Sequence, residues 1–219
     1  RGLGDVYKRQ DWINEDAEDF NAEWAKFCRE HPLYLFRHDA DYLPVFSQLE
    51  PYGAVGEKFR YNNAGFTLLG LMIEKITGMS YFDYIRQNIF RRAGMTQTDF
   101  IDLDDVHPNV AEGYVPLKDG DGTVTGWKKN IYSTTAGGAA DGGSTSTLDD
   151  LVRFSRALRD GKLFKKELVE TMLTPKVIAD ENPRWRYGFG CFILLDEQEK
   201  ILRWGHTGEE DGVSCRLLY

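Results

Sequence analysis

The sequence predicts an α+β protein: a helical region packed beside an antiparallel sheet. Two patterns carry that reading. Apolar residues recur at helical spacing through most of the chain, and strand-like runs separated by turn residues are confined to its last part. Composition sets the frame. Of 219 residues, 42% are hydrophobic and 28% charged, which is ordinary globular usage and excludes a disordered chain or a collagen-like fibre. Apolar runs such as Phe192–Leu195 fall far short of the about 20 residues of a membrane-spanning helix. With 27 Lys and Arg against 35 Asp and Glu, the net charge is −8. Such a chain, lacking a basic cluster, has no means of neutralising phosphates, so no nucleic-acid partner is expected. The three cysteines, Cys28, Cys191 and Cys215, are odd in number and widely spaced. They indicate neither a disulfide framework nor a zinc ribbon, and no metal or cofactor is expected.

The chain opens on Arg1 without an apolar signal segment and closes on a strand pattern, Val213 to Tyr219, with no turn signal. It therefore reads as a piece of a longer domain, incomplete at both ends. Residues 1–10 (RGLGDVYKRQ) are expected to be a non-native tail. Residues 11–180 are then the helical region, and residues 181–219 part of the sheet of the same domain.

The elements follow in order. From Asp16 to Arg29, apolar Ala17, Phe20, Trp24 and Phe27 keep helical spacing. Prolines at 32, 44 and 51 mark a turn-rich stretch that closes in a Pro51–Gly56 loop. Asn63 to Thr77 reads as a helix with an apolar stripe of Phe66, Leu69, Met72, Ile73 and Ile76, and Gly78 stands where a C′ glycine belongs. Ser80 restarts a helix with Asp83 as its capping partner, and Gly94 ends it. Residues 100–146 read as mostly irregular. Thr147 with Asp150 opens a capped helix ending at Gly161, and a short helix runs from about Lys165 to Leu173. Tyr187–Leu195, Ile201–Trp204 and Val213–Tyr219 then read as three antiparallel strands.

Two short motifs carry possible chemistry. Tyr61-Asn62-Asn63 stands where a loop meets a helix N-terminus, whose partial positive charge would favour a phenolate on Tyr61. The alternative is that Asn62 or Asn63 is only the N-cap and Tyr61 a packed aromatic. His206-Thr207-Gly208 follows a strand ending at Trp204 and Gly205. A histidine and a hydroxyl beside glycine suit a carboxylate or a polarised substrate group, and the alternative is a histidine at a turn on an edge strand. The glycine-rich stretch from Ala136 to Ser146 lacks the Gly-Lys-Ser/Thr of a phosphate cradle and reads as a flexible loop. His31, His38 and His107 lack ligand spacing, and Asp102, Asp104 and Asp105 read as a solvated acidic loop without the pattern of a calcium site.

Taken together, the motifs resemble the serine β-lactamase-like superfamily, in its class C β-lactamase, D-alanyl-D-alanine carboxypeptidase and esterase branch. The block Gly56 to Phe66 is similar to the family's PGxxFxYSNxGY segment, with Asn62 where serine is usual. Ile89-Phe90 through Gly94-Met95 and Thr98 resembles its IFxPLGMxxT segment, and Gly142 to Phe154 its GGxxSTxxDLxRF segment. His206-Thr207-Gly208 resembles the third catalytic motif in the HTG form of carboxypeptidases and esterases. The resemblance covers roughly Asp11 to Ser214. It implies acyl transfer by a serine in Ser-x-x-Lys, with Tyr61 as general acid/base and Asn63 bonding the substrate. His206, Thr207 and Gly208 would line the opposite wall, and the Glu209 N–H would donate to an oxyanion. It also implies a small ester, peptide or β-lactam substrate and a periplasmic or extracellular setting; a monomer is expected.

The nucleophile is the departure. None of Ser47, Ser80, Ser133, Ser144, Ser146, Ser155 and Ser214 has lysine three residues on, and no Gly-x-Ser-x-Gly elbow occurs. The expectation is a serine hydrolase whose Ser-x-x-Lys lies upstream, leaving this chain alone inactive. The alternative is a catalytically inactive relative that only binds peptidoglycan-like or acyl ligands.

Overall fold

The computed structural model describes residues 20–49 and 59–219. The expected tail, the Pro51–Gly56 loop, Ala17, and the side chains of Phe20 and Trp24 lie outside the described residues.

Helix α1 (Phe20–Glu30) leads through a 3-10 turn (Leu33–Leu35) into α2 (Asp39–Phe46). The sequence anticipates turns here, yet Pro44 lies inside α2. The Asp41 carboxylate accepts from the N–H groups of Arg37 and His38, at 2.8 and 3.0 Å, and so starts the helix. Pro44 stands one turn in, where its missing N–H removes a single bond. Phe27, Leu33, Phe36, Tyr42 and Phe46 form a core with Ala64 and Ala139.

Helix α3 spans Asn63–Thr77, the predicted range, with Gly78 left-handed at φ 70°. Its buried face is not the apolar stripe. Ala64, Gly65, Thr67 and Gly70 are buried, whereas Met72 and Ile76 are 51% and 77% exposed. Close approach explains this: a Cβ on Gly70 would lie 2.5 Å from both Asp39 Oδ2 and Ala140 Cβ. Helix α4 (Tyr81–Ile85), a π turn (Arg86–Phe90) and α5 (Arg91–Ala93) form one helical stretch ending at Gly94. Ser80 Oγ accepts the Asp83 N–H at 3.1 Å as expected, but the Asp83 carboxylate turns to Arg86.

Residues 100–146 are less irregular than predicted. They hold an antiparallel hairpin of β1 (Tyr114–Lys118) and β2 (Val124–Lys129). Asp119 Oδ1 accepts from the N–H groups of Asp121 and Thr123, and Gly122 takes φ 81°, which together close the turn. Nearly every residue of both strands is exposed, so no apolar alternation marks them. The acidic loop is corrected too. Asp102 and Asp104 are paired with Arg37 rather than simply solvated.

Helix α6 (Leu148–Arg159) is capped by Thr147 Oγ1, which accepts the Asp150 N–H at 3.3 Å. The Asp150 side chain does not close a capping box. It accepts from Thr98 Oγ1, the Gln97 N–H and Arg153, tying the 97–98 turn to α6. Helix α7 spans Lys166–Met172.

A five-stranded antiparallel meander follows: β3 (Val177–Ile178), β4 (Trp185–Tyr187), β5 (Phe192–Leu195), β6 (Ile201–Glu210) and β7 (Val213–Leu218). The expected single strand Tyr187–Leu195 is two strands, reversed at Gly188–Cys191. A Cβ on Gly188 would meet Met172 O at 2.4 Å, and Gly190 takes φ 77°. The expected Ile201–Trp204 strand continues to Glu210, so His206 lies within β6 rather than at a turn beyond it. Helices α6 and α7 pack on this sheet through Leu158, Val169 and Met172, together with Leu163 of the loop between them, with Trp204, Ile193 and Leu195 facing them.

Candidate functional site

The two motifs meet. Tyr61 precedes α3 by two residues, and His206 sits in β6. Their ring centroids are 5.8 Å apart. Both line a cleft of roughly 190 Å³, with Phe66 of α3, Ala140 and Asp141 of the glycine-rich segment, and Tyr187 and Gly190 of the β4–β5 reversal.

The α3 side is built by its cap. Asn62 Oδ1 accepts the Gly65 N–H at 2.6 Å, so Asn62, not Asn63, caps the helix. Tyr61 is half-buried and lines the cleft, with its ring packed against those of Tyr187 and His206. Asn63 is the first residue of α3, half-buried and outside the described cleft lining.

The β6 side follows from strand register. Trp204 and Tyr219 exchange both backbone hydrogen bonds, at 3.0 and 2.8 Å. Antiparallel alternation then turns the backbone groups of His206, Gly208 and Glu210 toward β7. Those of Gly205, Thr207 and Glu209 face the opposite edge. There, pairing with β5 ends at Phe192 opposite Gly205. The Glu209 N–H and the Thr207 carbonyl thus lie on an edge that no described strand covers. The Thr207 carbonyl stands 2.5 Å from His206 Nδ1. The Thr207 and Glu209 side chains are exposed, and neither residue nor Gly208 lines the cleft.

The β6–β7 tip is held from outside the sheet. Gly212 takes φ 77°, and a Cβ there would lie 2.7 Å from the Tyr114 nitrogen. Asn130, just after β2, donates from Nδ2 to the Asp211 carbonyl at 2.8 Å. The hairpin at 114–129 therefore braces the strand that carries His206.

Sequence reasoning misses two polar residues of the cleft. Tyr187 was readable only as the start of a strand, yet its hydroxyl is 3.2 Å from His206 Nε2 and its ring meets Tyr61 edge-on at 6.5 Å. Asp141 belongs to the stretch read as a flexible loop. That loop is closely packed instead: a Cβ on Gly137 would come within 3.2 Å of the Arg37 backbone, and Ala139 bridges Gly142. Asp39 Oδ1 fixes the segment by accepting the Ala140 N–H at 2.9 Å. Burial pushes the Asp39 carboxyl up to about 6, assisted by the Glu74 charge and opposed by the Ala140 N–H.

Comparison with known proteins identifies the family and the fold. Residues 10–218 match the sequence family described as Beta-lactamase. Penicillin-binding protein 4* of Bacillus subtilis (strain 168) is 31% identical over 214 residues, covering 91% of this chain and 44% of that protein. The crystal structure of a penicillin binding protein from Bacillus halodurans superposes with a TM-score of 0.86 at 30% identity, over 98% of this chain and 62% of that one. A D-stereospecific amidohydrolase from Streptomyces sp. gives a TM-score of 0.74 at 26% identity, over 99% and 63%. The chain belongs to the Beta-lactamase family and shares the fold of these relatives. It spans less than two thirds of the length of these relatives. No helix among the described residues is long and apolar enough to cross a membrane.

Proposed function

We propose that the protein hydrolyses esters or amides through an acyl-enzyme, as a D-alanyl-D-alanine carboxypeptidase or esterase rather than a dedicated β-lactamase. The observation that carries this reading is the shared cleft of Tyr61 and His206, residues 145 positions apart in sequence. A serine hydroxyl attacks the substrate carbonyl, and Tyr61 accepts its proton. The α3 N-terminus beside Tyr61 stabilises the phenolate form. Tyr61 then protonates the leaving alcohol or amine, and water releases the acyl group by the same steps in reverse. Asn63 bonds the acyl side of the substrate, and His206, Thr207 and Gly208 form the opposite wall. The Glu209 N–H, on the edge of β6 that no described strand covers, donates to the oxyanion, and losing one such donor costs about 10²–10³ in rate. Histidine where a dedicated β-lactamase has lysine supports the carboxypeptidase or esterase assignment. The amidohydrolase likeness supports amides among the substrates.

The nucleophile is none of the seven serines of this chain, since none has lysine three residues on. Residues 1–219 alone should therefore show neither fluorophosphonate labelling nor hydrolysis. The test uses the complete reading frame with p-nitrophenyl butyrate and a fluorescent penicillin. Ester turnover abolished in Tyr61→Phe supports the proposal. A folded complete protein with no labelling and no turnover overturns it in favour of a relative that only binds acyl or peptidoglycan-like ligands.

A further inference from the structure

Tyr187 belongs to no motif singled out in the sequence, yet it makes the closest described side-chain contact to His206. It is 4% exposed. Its ring is fixed by Phe59 at 5.1 Å and by Phe192 edge-on at 4.9 Å, and Phe192 also lies 4.9 Å from the His206 ring. The strand register explains why the three residues meet. Tyr187 pairs with Phe192, and Phe192 pairs with Gly205, the residue before His206. The phenol and the imidazole are thus held by three adjacent strands rather than by a loop.

The hydrogen-bond partners of His206 are chemically unequal. Nδ1 stands 2.5 Å from the Thr207 carbonyl, which can only accept. Nδ1 therefore carries a proton. In the neutral ring Nε2 is then a lone pair, and its partner at 3.2 Å, the Tyr187 hydroxyl, must be the donor. Both ring nitrogens are directed at protein groups. We propose that Tyr187 is a positioning residue that holds His206 in the Nδ1–H tautomer on the wall of the cleft that both residues line. This goes beyond the hydrolase reading, which gives Tyr187 no role, and it requires no turnover to be tested.

The test is long-range proton–nitrogen correlation NMR of the complete protein labelled with ¹⁵N-histidine, with the His206 signals identified by their loss in His206→Gln. At about pH 8.5, two units above the free-histidine value of about 6.5, the expected result is a single tautomer with Nδ1 protonated and Nε2 at the unprotonated shift. In Tyr187→Phe, which keeps the ring, the Nε2–H tautomer should appear as a second population. Retained amide shifts in β4 to β6 show that the variant is folded. If they are not retained, Phe192→Leu is compared: it loosens the wall but keeps the hydroxyl, and should preserve the Nδ1–H tautomer. An Nε2–H ring in the unmodified protein overturns the proposal. So does an unchanged His206 spectrum in folded Tyr187→Phe, or loss of the Nδ1–H tautomer in folded Phe192→Leu. Failure of the hydrolase reading would leave all these spectra untouched.

Discussion

Gly205 and Leu217 approach so closely that a Cβ on Gly205 would sit 1.9 Å from the Leu217 carbonyl oxygen. Gly205 also takes φ 152°, which side-chain-bearing residues rarely adopt. The obstacle is backbone, so no rotamer change relieves it. Gly205→Ala should part β6 from β7 beside His206 and cost about 2–6 kcal/mol, counting backbone strain and overpacking together. Gly208→Ala is the control. A Cβ there lies 3.0 Å from Cys215 Sγ, the end of an exposed side chain that can move. It should cost about 1 kcal/mol or less. Urea denaturation of the two variants checks the contrast, and equal losses would contradict it.

Asp150 is fully buried and serves three donors: Thr98 Oγ1 at 2.8 Å, the Gln97 N–H at 2.7 Å and Arg153. Asp150→Ala should cost about 3–5 kcal/mol, because it strands these donors as well as removing a charge. Burial by itself would raise this carboxyl, but the three hydrogen bonds outweigh burial and hold it below the ordinary carboxylate value. The folded protein therefore binds its proton less readily than the unfolded chain. The stabilisation is present above the unfolded value of about 3.9 and disappears as pH falls through the lower folded value. Acid denaturation should accordingly lose part of its steepness in Asp150→Asn.

Asp39 has the opposite sign. Its folded value of about 6 exceeds the ordinary carboxylate value, chiefly through burial. Between about 3.9 and that value the folded state binds more protons than the unfolded one, so this group lowers stability as pH rises. The neighbouring charges named by the geometry are Glu74 of α3, which adds to the effect, and His38, which opposes it. Melting temperature should fall between pH 4.5 and 7 by an amount that Asp39→Asn reduces, since asparagine can still accept the Ala140 N–H. Identical pH slopes in the two proteins would sink this assignment.

Helix α3 is legible in the sequence because cap, stripe and C′ glycine agree on one range, and local signals of that kind survive folding. Its buried face is not legible, because Gly70 faces inward only where Asp39 and Ala140 come close, and that proximity is tertiary. The β1–β2 hairpin escapes for a related reason: exposed strands need no apolar alternation. Tyr61 and His206 are found through motifs, each weak alone. Tyr187 and Asp141 are missed because their significance lies in what the sheet register and the packed glycine segment place beside them. The extension of β6 through His206 is invisible for the same cause. Glycine at 205 and 208 lowers strand propensity, and only pairing with β7 overrides it.

Asn62 stands where serine is usual in the segment it resembles, and the cap gives either side chain the same task. Its side-chain oxygen accepts the Gly65 N–H at 2.6 Å, the bond a serine hydroxyl can also accept. Asn62→Ser should leave stability within a few tenths of a kcal/mol, and Asn62→Ala should cost about 0.5–2 kcal/mol. Because Asn62 is 4% exposed, alanine also strands a buried N–H, which puts the loss in the upper part of that range. The site should feel the difference as well. Tyr61 is the residue before the cap, so fraying of the first turn of α3 displaces its ring from the 5.8 Å contact with His206. Ester kcat/KM of the complete protein should therefore follow the order Asn62→Ser above Asn62→Ala, in step with thermal stability. A fully active Asn62→Ala protein that has lost stability would show that Tyr61 is placed by something other than the cap.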